Sequence, residues 1–124
     1  MVPSTCLVGP MRVLAFEDCV DIEALLISGN VDMASIDFKQ YWDSVDYLER
    51  IEQFGPDLLL LDHYMPPTKG LDLLKTLRKS NMNQPKVVAM SSATMANNMM
   101  LKHGADFGIV KFELASLKLW PHSS

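Results

Sequence analysis

Hydrophobic and polar positions along the chain follow two alternating periods. MRVLAF at 11–16 is a short apolar run that ends in Glu17 and Asp18. VDIEALLISGN at 20–30 carries Ile22, Leu25 and Leu26 at helical spacing. IDFKQYW at 36–42 sets Ile36, Phe38, Gln40 and Trp42 on one face of a half-apolar strand. DSVDYLERIEQFGP follows as a helix: Asp43 or Ser44 caps it, Val45, Leu48 and Ile51 share a face, and Gly55-Pro56 ends it. DLLLLD at 57–62 is a continuous apolar run, the pattern of a strand covered on both faces. GLDLLKTLRKS at 70–80 puts Leu71, Leu74 and Leu77 on one stripe, and PKVVAMSS at 85–92 reads as a strand. TMANNMMLKHG at 94–104 reads as a helix stopped by Gly104. DFGIVKF at 106–112 is the last predicted strand, and ELASLKLW at 113–120 a short final helix before Pro121. Strand and helix thus alternate five times, which predicts an α/β fold with a doubly wound parallel sheet and helices on both faces. The predicted organisation is an N-terminal tail over 1–10, one domain over 11–120 and a C-terminal tail over 121–124.

Composition narrows the class. A chain of 124 residues with 48% hydrophobic and 21% charged residues has the size and balance of one globular domain. A net charge of −4 lacks the basic footprint that direct nucleic-acid binding requires. Cys6 and Cys19 are too few for a disulfide framework, and neither has the neighbours of a zinc site. No apolar run approaches a membrane span, and MVPSTCLVGP has no basic n-region or long apolar h-region. The expectation is a cytoplasmic domain, monomeric or weakly dimeric.

The polar residues at the predicted strand ends carry the chemistry. In a doubly wound sheet, ligands bind beyond the carboxyl ends of the strands. Here those ends carry Glu17-Asp18, Asp62, Ser91-Ser92 and Lys111. If the first and third strands are neighbours, three acids converge. Converging carboxylates repel unless a cation joins them. Mg²⁺ suits such a site, since it takes oxygen ligands and binds through one or two carboxylates plus phosphate oxygens. An ammonium and a hydroxyl hold phosphoryl oxygens. Together these groups point to phosphoryl chemistry by electrostatic stabilisation, with carboxylate attack on phosphorus as one mode.

FED (16–18), LLLLDHYMPPTKG (58–70), VVAMSS (87–92) and GADFGIVK (104–111) together resemble the receiver domain of two-component response regulators, over about Met11 to Trp120. The most specific piece is Asp62 with Met65, Pro66 and Gly70 at the family's D-x-x-M-P-x-x-x-G spacing. The resemblance implies a flavodoxin-like (βα)5 fold with strand order 2-1-3-4-5. It implies that Asp62 is the phosphoacceptor, served by a sensor histidine kinase or a histidine phosphotransfer protein. It further implies Mg²⁺ held by Asp18 directly, by Glu17 through water, by Asp62 and by the backbone carbonyl of Tyr64. Ser91 and Lys111 would bind the phosphoryl oxygens, with Ser91 carrying the switch.

The chain departs from the pattern in four places. Phe112 stands where many receivers have proline after the lysine. Gly108 stands where many have an aromatic reporter, with Phe107 one place earlier and so on the opposite strand face. The segment from Ser91 to Lys111 and the final helix are both short. All four fall on the surface formed by the fourth helix, fifth strand and final helix, which receivers use for output. The functional expectation is a stand-alone receiver, phosphorylated on Asp62, that signals through an altered output face to an effector protein. The alternative is a pseudo-receiver that binds partners without phosphorylation, and a third reading is a Mg²⁺-dependent phosphohydrolase.

Single residues have plainer readings too. Asp62 alone is a strand-end acid, Glu17-Asp18 alone a helix-leading cap, and Lys111 alone a solvated lysine. Ser92 replaces Ser91 if the register slips. His63 is expected to face away from Asp62 in a packing role, and Cys19 to be an ordinary loop thiol. Of Met90, Met95, Met99 and Met100, at least two fill the core if they do not form a docking surface.

Overall fold

A computed structural model describes residues 9–122. Cys6 and most of the two predicted tails lie outside the described residues. Five parallel strands form one sheet in the order β2-β1-β3-β4-β5: β1 Met11–Phe16, β2 Ile36–Tyr41, β3 Leu58–Leu61, β4 Lys86–Ala89 and β5 Phe107–Gly108. The α-helices are α1 Ile22–Ser28, α2 Tyr47–Phe54, α3 Gly70–Lys79 and α4 Thr94–Lys102. This is the doubly wound flavodoxin-like order that the sequence predicts.

Period-two alternation divides the core between the two faces. Val13, Ala15, Leu58, Leu60, Val88 and Met90 pack against Ile22 and Leu26 of α1 and against Leu114 and Trp120. Leu14, Phe16, Leu59, Leu61, Val87 and Ala89 pack against Ile51 of α2, Leu73, Leu74 and Leu77 of α3, and Met100 of α4. The four leucines of β3 are buried on both faces, as a central parallel strand requires. Met90 and Met100 fill the core, while Met95 and Met99 are exposed.

Three local expectations are corrected. The final helix is a 3₁₀-helix, Lys111–Ser116, not an α-helix. In a 3₁₀-helix residues i and i+3 eclipse, so Lys111 and Leu114 fall on one side and both are buried. Trp120 then folds back, its indole N–H donating to Leu114 O at 2.9 Å. The chain closes beside α1, where Asp32 N donates to Pro121 O at 2.8 Å and Val31 bridges His122. The last strand spans two residues rather than seven, because Gly108 has no side chain to pack and the Asp106 carboxylate, not a further strand residue, accepts from Val87 N at 2.8 Å.

The start of α2 is also different. Neither Asp43 nor Ser44 caps it; the N-cap is Asp46 in a left-handed conformation with no side-chain cap bond. The Asp43 carboxylate accepts instead from Val45 N at 3.0 Å and Arg50 at 2.9 Å. Ser44 turns inward to a different partner. Gly55 ends α2 as predicted, at φ +64, the left-handed C-terminal position that favours glycine.

Candidate functional site

Strand register builds the site. Val13 pairs with Leu58 and Phe16 with Leu61, so Glu17 and Asp62 leave adjacent strands side by side. Asp62 N donates to Phe16 O at 3.1 Å and Glu17 N to Tyr41 O at 3.1 Å. Both side chains are buried, Glu17 at 0% and Asp62 at 3% exposure. The Glu17 carboxylate is aimed by its own loop: Oε2 accepts from the backbone N–H groups of Cys19 and Val20, each at 3.0 Å. That loop is in turn held by Gln40, whose amide donates to Glu17 O and Val20 O, each at 2.9 Å.

Lys111 reaches the two acids from the start of its 3₁₀-helix. Its ammonium lies 2.8 Å from Glu17 Oε1 and 3.8 Å from Asp62 Oδ1. Among the described residues, this one ammonium is the sole partner of Glu17 Oε1 and Asp62 Oδ1. Burial pushes the Asp62 carboxyl above the usual carboxylate range, Glu17 adds to the push, and Lys111 opposes it. For Lys111 burial works against the charge, but Glu17 and Asp62 outweigh it and hold the ammonium above its ordinary value.

Two buried carboxylates sharing one ammonium are under-compensated. A hard cation is the natural complement. Glu17, Asp18 and Cys19 bring ligand atoms within 4.8 Å of one another. The donor set at the acids is therefore suited to Mg²⁺. Asp18 is half-buried beside them, and its carboxylate pushes the neighbouring exposed Cys19 thiol up. Cys19 thus stays an ordinary protonated loop thiol.

The loop after Asp62 is fixed at several points. Met65 N and Gly70 N both donate to His63 O, at 3.0 and 2.8 Å. His63 faces α3, its Nδ1 accepting from Leu71 N at 3.3 Å. Burial, then nearby Lys69, holds its imidazole below the usual range, so the ring is neutral and its role is packing. Tyr64 is exposed and stacks edge-on against His63 at 4.7 Å. The peptide bond between Pro66 and Pro67 is cis.

Ser44 joins this loop to the one after β2. Ser44 N donates to Pro66 O, its hydroxyl donates to Thr68 O and accepts from Thr68 N, each at 2.8 Å. Replacing Ser44 with Ala leaves the half-buried Thr68 backbone groups without that partner and is expected to cost about 1–2 kcal/mol. The melting temperature should fall by roughly 5 °C; calorimetry showing no fall would refute the clamp.

Ser91 is fully buried just past β4, its hydroxyl accepting from Ala93 N at 3.1 Å, while Ser92 is exposed. The structure thus gathers Glu17, Asp62 and Lys111 in direct contact, with Asp18, Tyr64 and Ser91 on the surrounding loops at the same sheet edge.

A family model described as the response regulator receiver domain matches residues 12–116. This chain belongs to the response regulator receiver family. Among curated relatives, it is 34% identical over 89 residues to protein-glutamate methylesterase/protein-glutamine glutaminase 5 of Myxococcus xanthus, covering 69% of this chain and 25% of that protein. It is 30% identical over 108 residues to the corresponding enzyme 1 of Methanospirillum hungatei, covering 84% of this chain and 30% of that protein. The chain therefore spans about a quarter to a third of the length of these relatives. Among solved structures, the receiver domain of Francisella response regulator 1452 is 28% identical, with a TM-score of 0.69 over 86% of this chain and 91% of that one.

Two of the receiver's departures from the family have a structural setting. Phe112 is 62% exposed, yet Lys111 still reaches Glu17. Phe107 packs on the α1 side of the sheet. At Gly108 a Cβ would stand 2.9 Å from Leu101 Cδ1 and 3.6 Å from Asn97 Cβ. A side chain at 108 would have to displace the Leu101 side chain of α4. Sequence reasoning missed Asn97, Gln40 and Ser44. All three are polar residues held by backbone groups distant in sequence, and neither periodicity nor motif spacing marks them.

Proposed function

We propose that the chain is a phosphoacceptor signalling domain, modified on Asp62 by a histidine kinase or histidine phosphotransfer protein with Mg²⁺. The observation that carries this reading is the pair of buried carboxylate oxygens, Glu17 Oε1 and Asp62 Oδ1, that share the single ammonium of Lys111. Glu17, Asp18, Asp62 and the Tyr64 carbonyl would hold the ion, which supplies positive charge beside the developing phosphoryl charge. The residues divide the remaining work. An Asp62 carboxylate oxygen attacks phosphorus, a P–O bond forms and the bond to the donor imidazole nitrogen breaks; the electron pair leaves with the imidazole. The Lys111 ammonium and the Ser91 hydroxyl take the phosphoryl oxygens. Output follows through the exposed Met95, Met99, Val110 and Phe112 of the α4, β5 and 3₁₀-helix surface, toward an effector protein.

A pseudo-receiver that works without phosphorylation is the second reading, and the occupied space beside Gly108 favours it. The methylesterase and glutaminase activities belong to the named relatives.

Intact mass after incubation with Mg²⁺ and acetyl phosphate separates the two readings. A single labile phosphate is expected on the parent chain and none on Asp62→Asn. An unmodified parent, in conditions that modify another receiver, would leave the pseudo-receiver standing.

A further inference from the structure

Asn97 lies in the middle of α4, where asparagine is a poor helix former because it competes for backbone hydrogen bonds. It is nevertheless 3% exposed and well partnered. Its Oδ1 accepts from Ser91 N at 2.7 Å. Its Nδ2 donates to Ser91 O at 2.9 Å and to Ile109 O at 3.0 Å. Only this orientation of the amide suits one N–H and two carbonyls, and it uses three of the four bonds the group can make.

One carboxamide therefore grips both backbone groups of Ser91 and the carbonyl two residues before Lys111. The two residues assigned to the phosphoryl oxygens sit at the ends of neighbouring strands, and both ends hang from the same side chain of α4. Gly108 belongs to this arrangement. It pairs with Ala89 in the sheet, and its missing Cβ gives Leu101 and Asn97 the space they occupy. A bulky side chain at 108 would first have to displace the Leu101 side chain and would then press on Asn97.

We propose that Asn97 is the positioning residue that couples Ser91 to the Lys111 segment and to α4, in the place of the aromatic that many receivers carry at the position of Gly108. The proposal rests on Asp62 phosphorylation. If Ser91 shifts toward a phosphoryl group, two short bonds to Asn97 must either move α4 with it or break. While the bonds hold, the displacement reaches α4 and Ile109 through the amide; if they break, Asn97 is released from Ser91 and its hold on the loop is lost.

The test is amide hydrogen exchange of the full chain in Mg²⁺, with and without acetyl phosphate, for the parent, Asn97→Ala and Asn97→Asp. The aspartate keeps the acceptor for Ser91 N and loses both donors. In the parent, phosphorylation is expected to change exchange at Ser91, along Thr94–Lys102 and across 107–112. In each variant that melts cooperatively and gains the phosphate mass, the change is expected to remain at the Ser91 loop and be lost from the other two segments. A purely structural role for Asn97 would lower the melting temperature but leave this phosphorylation-dependent difference intact. Parent-like spread in a folded, phosphorylated variant would overturn the coupling. So would a phosphorylated parent with no change in α4 or 107–112, a result that needs no variant to fold. A parent that gains no phosphate mass would instead overturn the phosphoacceptor reading itself, and the coupling with it.

Discussion

Lys111→Met is expected to lower stability in metal-free buffer at neutral pH by about 3–5 kcal/mol, the usual cost of removing one partner from a buried ion pair. In melting temperature that is roughly 10–20 °C. The size follows from what the lysine leaves behind. Glu17 and Asp62 are buried, and the Lys111 ammonium lies 2.8 and 3.8 Å from their carboxylate oxygens. Protonation should relieve the loss. The Lys111 pKa is raised in the folded chain, so its contribution is complete below the unfolded lysine value and is lost only as pH rises through the folded one. The Asp62 pKa is also raised, so the folded state holds that proton more tightly than the unfolded chain. Stability from it is present at low pH and lost as pH rises through the folded value. Without Lys111 the Asp62 pKa rises further. The gap between Lys111→Met and the parent should therefore narrow from about pH 8 to about pH 5. Added Mg²⁺ should narrow it at neutral pH. Thermal melts that show a gap independent of both would contradict this account of the site.

Gly70→Ala is expected to destabilise by about 3 kcal/mol, the upper part of the usual cost of overpacking, or roughly 12 °C. Helix propensity alone predicts the opposite, because alanine is favoured over glycine by about 1 kcal/mol inside a helix. Sterics decide the outcome. A Cβ on Gly70 would stand 2.2 Å from Asp62 O and 2.9 Å from both Asp62 C and His63 Cα. These are backbone atoms, so no side-chain rotation relieves the clash. Either the N-terminus of α3 lifts and gives up the 2.8 Å bond from Gly70 N to His63 O, or the end of β3 moves. Both displace the Asp62 carboxylate, the proposed phosphoacceptor, and an error of about 1 Å is worth roughly 100-fold in rate. The measurement pairs a thermal melt with the rate of mass gain from acetyl phosphate. A variant with parent stability and parent rate would show that the close approach is not required.

The same steric contact explains part of what could be read from the sequence. Gly70 was visible as one letter of a motif, and the close approach to Asp62 gives that letter its reason. The run Leu58–Leu61 announced a central strand because a strand buried on both faces leaves no room for polar alternation. Once β1 and β3 are neighbours, parallel register alone brings Glu17 beside Asp62. The illegible parts share a different cause. Ser44, Gln40 and Asn97 each bind backbone groups that only the fold brings near, at separations of 24, 23 and 12 residues. Their letters look like ordinary cap, strand and helix-surface residues. Ser44 in particular has the place and chemistry of a helix cap, but its hydroxyl is engaged by the Thr68 backbone. The C-terminal helix misled for a related reason. ELASLKLW has helical spacing, but Lys111 has to reach the acids while Leu114 reaches the core, and an i, i+3 geometry satisfies both.

The brevity of β5 has a consequence for how copies of this chain meet one another. A sheet edge is a template for adding further strands, and long flat edges invite chains to associate into aggregates. Here one edge of the sheet is only two residues long and ends in a glycine. At the other edge β2 carries Asp37, tied to Arg12, and the exposed Lys39. A visiting strand would find too few free backbone groups on one side and charges on the other. The strand shortened by Gly108 thus also guards the molecule against fibrillar self-association.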